Sequence, residues 1–235
     1  MLFNSIGFAI FLPVIFLLYW FVAGKSVKLQ NILLLFASYY FYACWDFRFM
    51  FLLMFSTFLD YYTGFKIDEA GSQRNKKVWL FISIFINLGF LCFFKYYNFF
   101  AESFIELFSG FGLKINLWTL KLILPVGISF YTFHGLSYVI DIYYGRIKPE
   151  KNVVDYSLFV SFFPLLVAGP IERATHLLPQ IKKERTFDYS NAVDGLRQIL
   201  WGLFKKVVIA DSCAGFANEI FAGSEQFYGS TLLIG

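Results

Sequence analysis

Few groups in this sequence combine a reactive type with a position where chemistry could follow. His134 stands in Phe133-His134-Gly135, mid-way along an apolar run. A neutral imidazole there could act as a general base, its unperturbed pKa lying near 6.5, or it could pack between helices on a hydrogen bond. His176, in the polar stretch after Arg173, reads as a solvated loop residue. Asp60 falls inside a third apolar run, where an ionised carboxylate costs roughly 2.5–3.5 kcal/mol, so it needs a partner. Lys95 and Asp141 lie nearer the ends of theirs, where Lys95 can snorkel and Asp141 can reach the headgroups. Pairing between helices is the plain expectation for these three ionisable residues. Phosphate-loop, nucleophile-elbow, HExxH and paired-cysteine patterns are all missing, which leaves soluble-enzyme templates and a metal centre without support. Cys44, Cys92 and Cys213 are odd in number and far apart, and they read as small buried side chains.

The stretch from Ile123 to Ile181 gathers most of these groups with helix breakers. Pro125, Gly127, Ser129, His134, Asp141, Pro164, Gly169, Pro170 and Arg173 all sit in sequence otherwise apolar enough for lipid. Bent backbone and polar side chains persist at membrane depth where protein or a water-filled cavity satisfies them. The stretch is therefore expected to line a buried path.

The elements that position it follow from hydropathy. Of 235 residues 58% are hydrophobic and 15% charged, a balance that makes the bilayer the solvent. The net charge of +4 is scattered through short loops, which excludes a nucleic-acid face. Five runs approach the length needed for a crossing, about 20 residues: Ile6–Ala23, Leu29–Trp45, Phe47–Phe65, Val78–Tyr97 and Leu122–Tyr143. The second and third are separated by little more than Asp46 and must form a tight hairpin. Lys25, Lys28, Lys66, Arg74, Lys76, Lys77, Arg146, Lys148 and Lys151 fall in alternate loops, against Arg48, Lys114 and Lys121 in the others. The positive-inside rule then puts the N-terminus outside.

Between Asn98 and Lys121 a short amphipathic surface helix broken at Gly110 and Gly112, or a plain connecting loop, is expected. Tyr156–Ala168 is too short to span and carries Pro164, so a re-entrant segment is expected across residues 156–172. From Ala192 to Ala210 the apolar spacing is helical, capped by Ser190 or Asn191; the helix lies on the inner face with its lysines toward anionic headgroups, or else forms a tilted sixth span. A new apolar run opens at Thr231, and the chain is expected to continue. The fold class expected is an all-α polytopic transmembrane bundle with re-entrant and interfacial helices, forming a single domain or part of one.

The runs LPVGISFYTFHGLSYVIDIYYGR and FVSFFPLLVAGPIERATHLLPQI, with FLDYYTG, NLGFLCFFKYYNFF and LRQILWGLFKKVVIAD in order, resemble the membrane-bound O-acyltransferase family. The likeness is to its alginate O-acetyltransferase and teichoic-acid D-alanyl-transferase branch. It implies an enzyme of the bacterial cytoplasmic membrane that takes an acyl group from a cytoplasmic thioester, acetyl-CoA or a carrier-protein thioester, to a hydroxyl of an envelope polymer, often through an extracytoplasmic partner protein. The family's essential histidine lies in a later Arg-Arg-Trp-His-like stretch that this sequence does not contain, and relatives often carry glutamine at the position of His134. The resemblance thus implies roughly the N-terminal half of a longer enzyme, inactive alone. The rival expectation is a membrane scaffold or transport subunit using Asp60, Lys95 and His134 as an ion or partner site.

Overall fold

The computed structural model describes residues 1–110, 123–167, 169–223 and 229–230, and the regular structure among them is all helical. Helix α1 (Ile6–Leu17) runs into a π-helical turn (Leu18–Val22) and is followed by α2 (Val27–Ala43) and α3 (Phe47–Glu69). Then come α4 (Gln73–Gly110), α5 (Ile128–Tyr143), α6 (Val153–Ser161), α7 (Phe163–Leu166) and α8 (Ala174–Lys182). The chain continues through α9 (Tyr189–Phe204), a second π turn (Lys205–Ala210) and α10 (Asp211–Ala222). Contacts divide it into two compact units, one of Met1 with Ile15–Glu184 and one of Leu2–Val14 with Arg185–Gly235.

In the first unit α5 is the hub. It packs on α3 and α4 along one side and on α6, α7 and α8 along the other, while α2 closes against α6 and α7. Tyr42, Leu53, Ile67, Tyr131, Tyr138, Val139, Tyr156 and Phe159 make its core. The α2–α3 hairpin forms as the sequence requires: Asp46 caps α3 by accepting the Arg48 N–H at 2.9 Å. The Arg48 side chain, hydrogen-bonded to the same carboxylate, holds it below the usual range.

Three expectations change. The fourth apolar run and the surface helix after it are one helix of 38 residues. Glu102 and Glu106 lower hydropathy but favour helix, and between Asn98 and Gly110 there is no Gly or Pro to interrupt it. Gly112, Lys114 and Lys121 lie outside the described residues, as do Ala168 and the run from Thr231. Second, the fifth apolar run becomes helical at Ile128, after Pro125 and the left-handed turn at Gly127; among the described residues α4 is the one helix both long and apolar enough to cross a membrane by length and composition, and Ile6–Val22 is apolar but shorter. Third, all three cysteines are exposed. Burial statistics for free thiols come from chains whose outer surface meets water, and an apolar outer helix face lifts that constraint.

In the second unit α9 starts earlier than expected. Asp188, not Ser190 or Asn191, is the cap, accepting the Asn191 N–H at 3.1 Å. Helicity also runs on past Ala210 through α10 to Ala222. Trp201 and Phe204 stack 5.4 Å apart, Lys205 lies 5.2 Å over Trp201, and Lys206 pairs with Asp211.

Candidate functional site around a broken helix

Helices α6 and α7 would be one helix but for a break at Phe162. Pro164 stands at the start of α7. Its ring nitrogen has no proton to give to the Val160 carbonyl four residues back, so that carbonyl is freed. Ser38 of α2 supports the break from the other side, its hydroxyl accepting the Phe163 N–H at 3.1 Å and donating to the Leu34 carbonyl at 2.8 Å. Opposite α7, the chain enters α5 through buried Pro125 and through Gly127, whose φ of 76° is left-handed. A Cβ on Gly127 would stand 2.3 Å from the Leu166 carbonyl oxygen, so glycine is demanded both by the turn and by the approach of α7. Ser129 is half-buried in the first turn of α5.

His134 projects from α5 toward this break. It is 1% exposed, and its ring lies 5.7 Å from that of Phe159. Its Nε2 accepts the backbone N–H of Glu172 at 3.1 Å. The Val160 carbonyl freed by Pro164 is also near the ring. Gly169, at φ 135°, and Pro170 lead into the Glu172 segment, and Arg173 caps α8 with its side chain exposed. Glu172 reaches on to the second histidine: its Oε2 is 2.7 Å from His176 Nδ1.

Asp60 lies in a separate buried cluster between α3 and α4. Its Oδ1 accepts Ser83 Oγ–H and Asn87 Nδ2–H, both at 2.7 Å, and Asn87 Oδ1 accepts Ser56 Oγ–H at 2.7 Å. Its Oδ2 has no hydrogen-bond partner among the described residues. A Cβ on Gly135 of α5 would meet that Oδ2 at 2.0 Å, so the missing side chain is what lets α5 settle over the carboxylate.

A third polar group closes one end of the unit. Asn31 Nδ2 donates to Asp155 Oδ1 at 2.8 Å and to the Ile181 carbonyl at 3.0 Å. Asn152 Nδ2 donates to Asp155 Oδ2 at 2.9 Å. Tyr138 Oη accepts the Glu150 N–H at 2.9 Å, and Lys182 Nζ donates to Glu150 Oε2 at 2.8 Å. The Glu150 hydrogen bond raises the Lys182 pKa. Tyr61 Oη reaches the Lys151 carbonyl at 2.8 Å. The loop 148–152 is thereby tied to α3, α5, α6 and α8, and α2 is tied to α6 and α8.

Curated relatives share this sequence over most of its length. A probable alginate O-acetylase of Pseudomonas aeruginosa is 39% identical over 94% of the chain and 42% of its own length. One from Azotobacter vinelandii is 37% identical over 99% of the chain and 46% of its own length. The chain is a sequence relative of the alginate O-acetylases. A peptidoglycan O-acetyltransferase of Helicobacter pylori is likewise 35% identical over 93% of the chain and 46% of its own length. The chain thus spans less than half the length of the relatives it matches. No protein-family model matches it, and no solved structure does so significantly. The resemblance read from the separated motifs is borne out.

Of the residues picked out in the Ile123–Ile181 stretch, Gly127, His134, Pro164 and Gly169 lie at or against the α6–α7 break, whereas Asp141 lies near the other end of α5. The ionisable residues do not pair as expected. Asp60 takes neutral donors, Asp141 takes Arg146 Nη1 at 2.9 Å in the loop just beyond α5, and Lys95 is exposed 5.4 Å from the ring of Tyr96. Neutral amide and hydroxyl donors satisfy a buried carboxylate without the cost of burying a second charge. Ser38, Ser83, Asn87, Asn31, Asp155 and Glu172 were not singled out by sequence reasoning. A usable signal existed for the α4 pair: Ser83 and Asn87 are four apart on one face of an apolar run, the spacing that aims two polar groups at one neighbour.

Proposed function

We propose that this chain is one part of an integral-membrane O-acetyltransferase, moving an acetyl-type acyl group from a cytoplasmic thioester donor to a hydroxyl of a cell-envelope polysaccharide. The observation that carries the reading is the identity of 34–39%, along nearly the whole chain, with relatives named for alginate and peptidoglycan O-acetylation. The geometry supports it. A broken helix braced by Ser38 and faced by a left-handed glycine is how non-helical backbone is held at membrane depth beside a substrate path.

The reaction needs the acceptor oxygen to attack the thioester carbonyl while a base takes its proton. The carbon–sulfur bond then breaks and the proton leaves with the thiol. In this reading the base comes from sequence outside these residues, and the chain supplies walls of the donor path. The fold is a polytopic bundle of the bacterial cytoplasmic membrane with the N-terminus outside. The broken helix α6–α7 is re-entrant, the donor is acetyl-CoA or a carrier-protein thioester, and an extracytoplasmic protein receives or relays the acetyl group.

The test is to compare residues 1–235 alone with the same residues in the full-length protein, in membranes supplied with labelled donor and acceptor polysaccharide. Acetyl transfer is expected from the full-length protein. Transfer by residues 1–235 alone would sink the assignment of the base.

A further inference from the structure

Residues 169–173 belong to no helix, yet they lead from the broken α6–α7 pair into α8 and carry Arg173, an exposed guanidinium without an ion pair among the described residues. Something must hold this segment in place, and the two histidines do so through one residue. His134 takes the Glu172 backbone N–H from the buried side at 3.1 Å. His176, one turn into α8, holds the Glu172 carboxylate from the exposed side at 2.7 Å and is itself flanked by Gln180.

The donor in the first bond is a backbone amide, so its direction fixes the tautomer. His134 Nε2 is the acceptor, and the proton of the neutral ring must sit on Nδ1. The Nε2 lone pair that a general base would use is therefore engaged. A second proton there would set two donors face to face.

We propose that His134 is a positioning residue. With His176 it brackets Glu172, fixing the 169–173 segment so that Arg173 is presented at a set place at the start of α8. This rests on the acyl-transfer reading for its consequence in turnover, but not for the bracket itself.

The discriminating substitutions are His134→Gln, whose side-chain carbonyl can still accept the Glu172 N–H, and His134→Leu, which fills similar space without an acceptor. In the full-length membrane protein, hydrogen–deuterium exchange across 169–173 should rise about tenfold in His134→Leu and stay near the wild-type rate in His134→Gln. Acetyl transfer should follow the same order, with kcat/KM lowered about tenfold by leucine and largely rescued by glutamine.

Wild-type exchange at Glu172 as fast as an unprotected chain would overturn the bracket whether or not the leucine variant folds. So would wild-type exchange rates in a folded His134→Leu protein. Loss of transfer in His134→Gln while exchange stays slow would make the imidazole catalytic and overturn the positioning role. Slow, glutamine-rescued exchange in a protein with no acetyl transfer at all would uphold the bracket and refute the function instead.

Discussion

Replacing Gly135 by alanine sets two magnitudes against each other. Gly135 is interior to α5, and alanine in a helix interior is favoured over glycine by about 1 kcal/mol. Without a neighbour in the way, Gly135→Ala would stabilise. The new Cβ, however, falls 2.0 Å from Asp60 Oδ2 and 3.0 Å from its Cγ, whereas ordinary contact begins at 3.4 Å. Either α5 withdraws by about 1.4 Å, at the roughly 1–3 kcal/mol typical of overpacking, or the carboxylate swings away and its bonds from Ser83 and Asn87 are lost. Those are worth about 1.5–3 kcal/mol each if the carboxylate is charged. The cheaper withdrawal governs, and less the propensity gain the net expectation is a loss of about 1 kcal/mol.

Thermal unfolding of the purified protein in detergent measures it, with Asp60→Ala as the paired background. There Oδ2 and Cγ are gone, and the remaining Asp60 Cβ, at 3.5 Å, is an ordinary neighbour. Gly135→Ala should then be neutral or stabilising by up to about 1 kcal/mol. A Gly135→Ala protein as stable as wild type, or equal effects in both backgrounds, would refute the close approach of α5 to Asp60.

Two further outcomes follow from the polar group that ties the 148–152 loop. Asn31→Leu removes two hydrogen bonds at once, one to the Ile181 carbonyl and one to an oxygen of the buried Asp155, and should cost about 3 kcal/mol in the same unfolding measurement. The Lys182–Glu150 bridge is half-exposed and should contribute at most about 0.5 kcal/mol. Because Glu150 raises the Lys182 pKa, that contribution is complete below the ordinary lysine value of 10.5 and fades as pH rises through the folded value. The difference between wild type and Lys182→Met should accordingly stay constant from about pH 6 to 9 and vanish in strong alkali.

Because the hydropathy run opens at Leu122, the entry to α5 at Gly127 stayed hidden inside it; the α2–α3 hairpin and the break at Pro164 were legible, each depending on a residue type with a local effect, a polar residue between apolar runs and a missing N–H. The second half of α4, and α8 and α10, were not. Glu102 and Glu106 end a hydropathy window without ending a helix. Helix α8 is nine residues long with Pro179 inside, too short and too interrupted for periodicity to register. The partners of His134 and Asp60 were illegible for another reason. Glu172 offers its backbone, which no side-chain pattern reveals, and Ser83 and Asn87 are uncharged, so a search for opposite charge passes over them.

Helix α4 has a consequence for how the molecule meets what lies beyond the bilayer. Its 38 residues extend about 57 Å, while the hydrocarbon layer is about 30 Å thick. An upright α4 therefore overshoots the acyl chains by close to half its length. Arg74, Lys76 and Lys77 stand near one end of the helix and Glu102 and Glu106 near the other, so both ends of the surplus carry charge, the second among exposed phenylalanines.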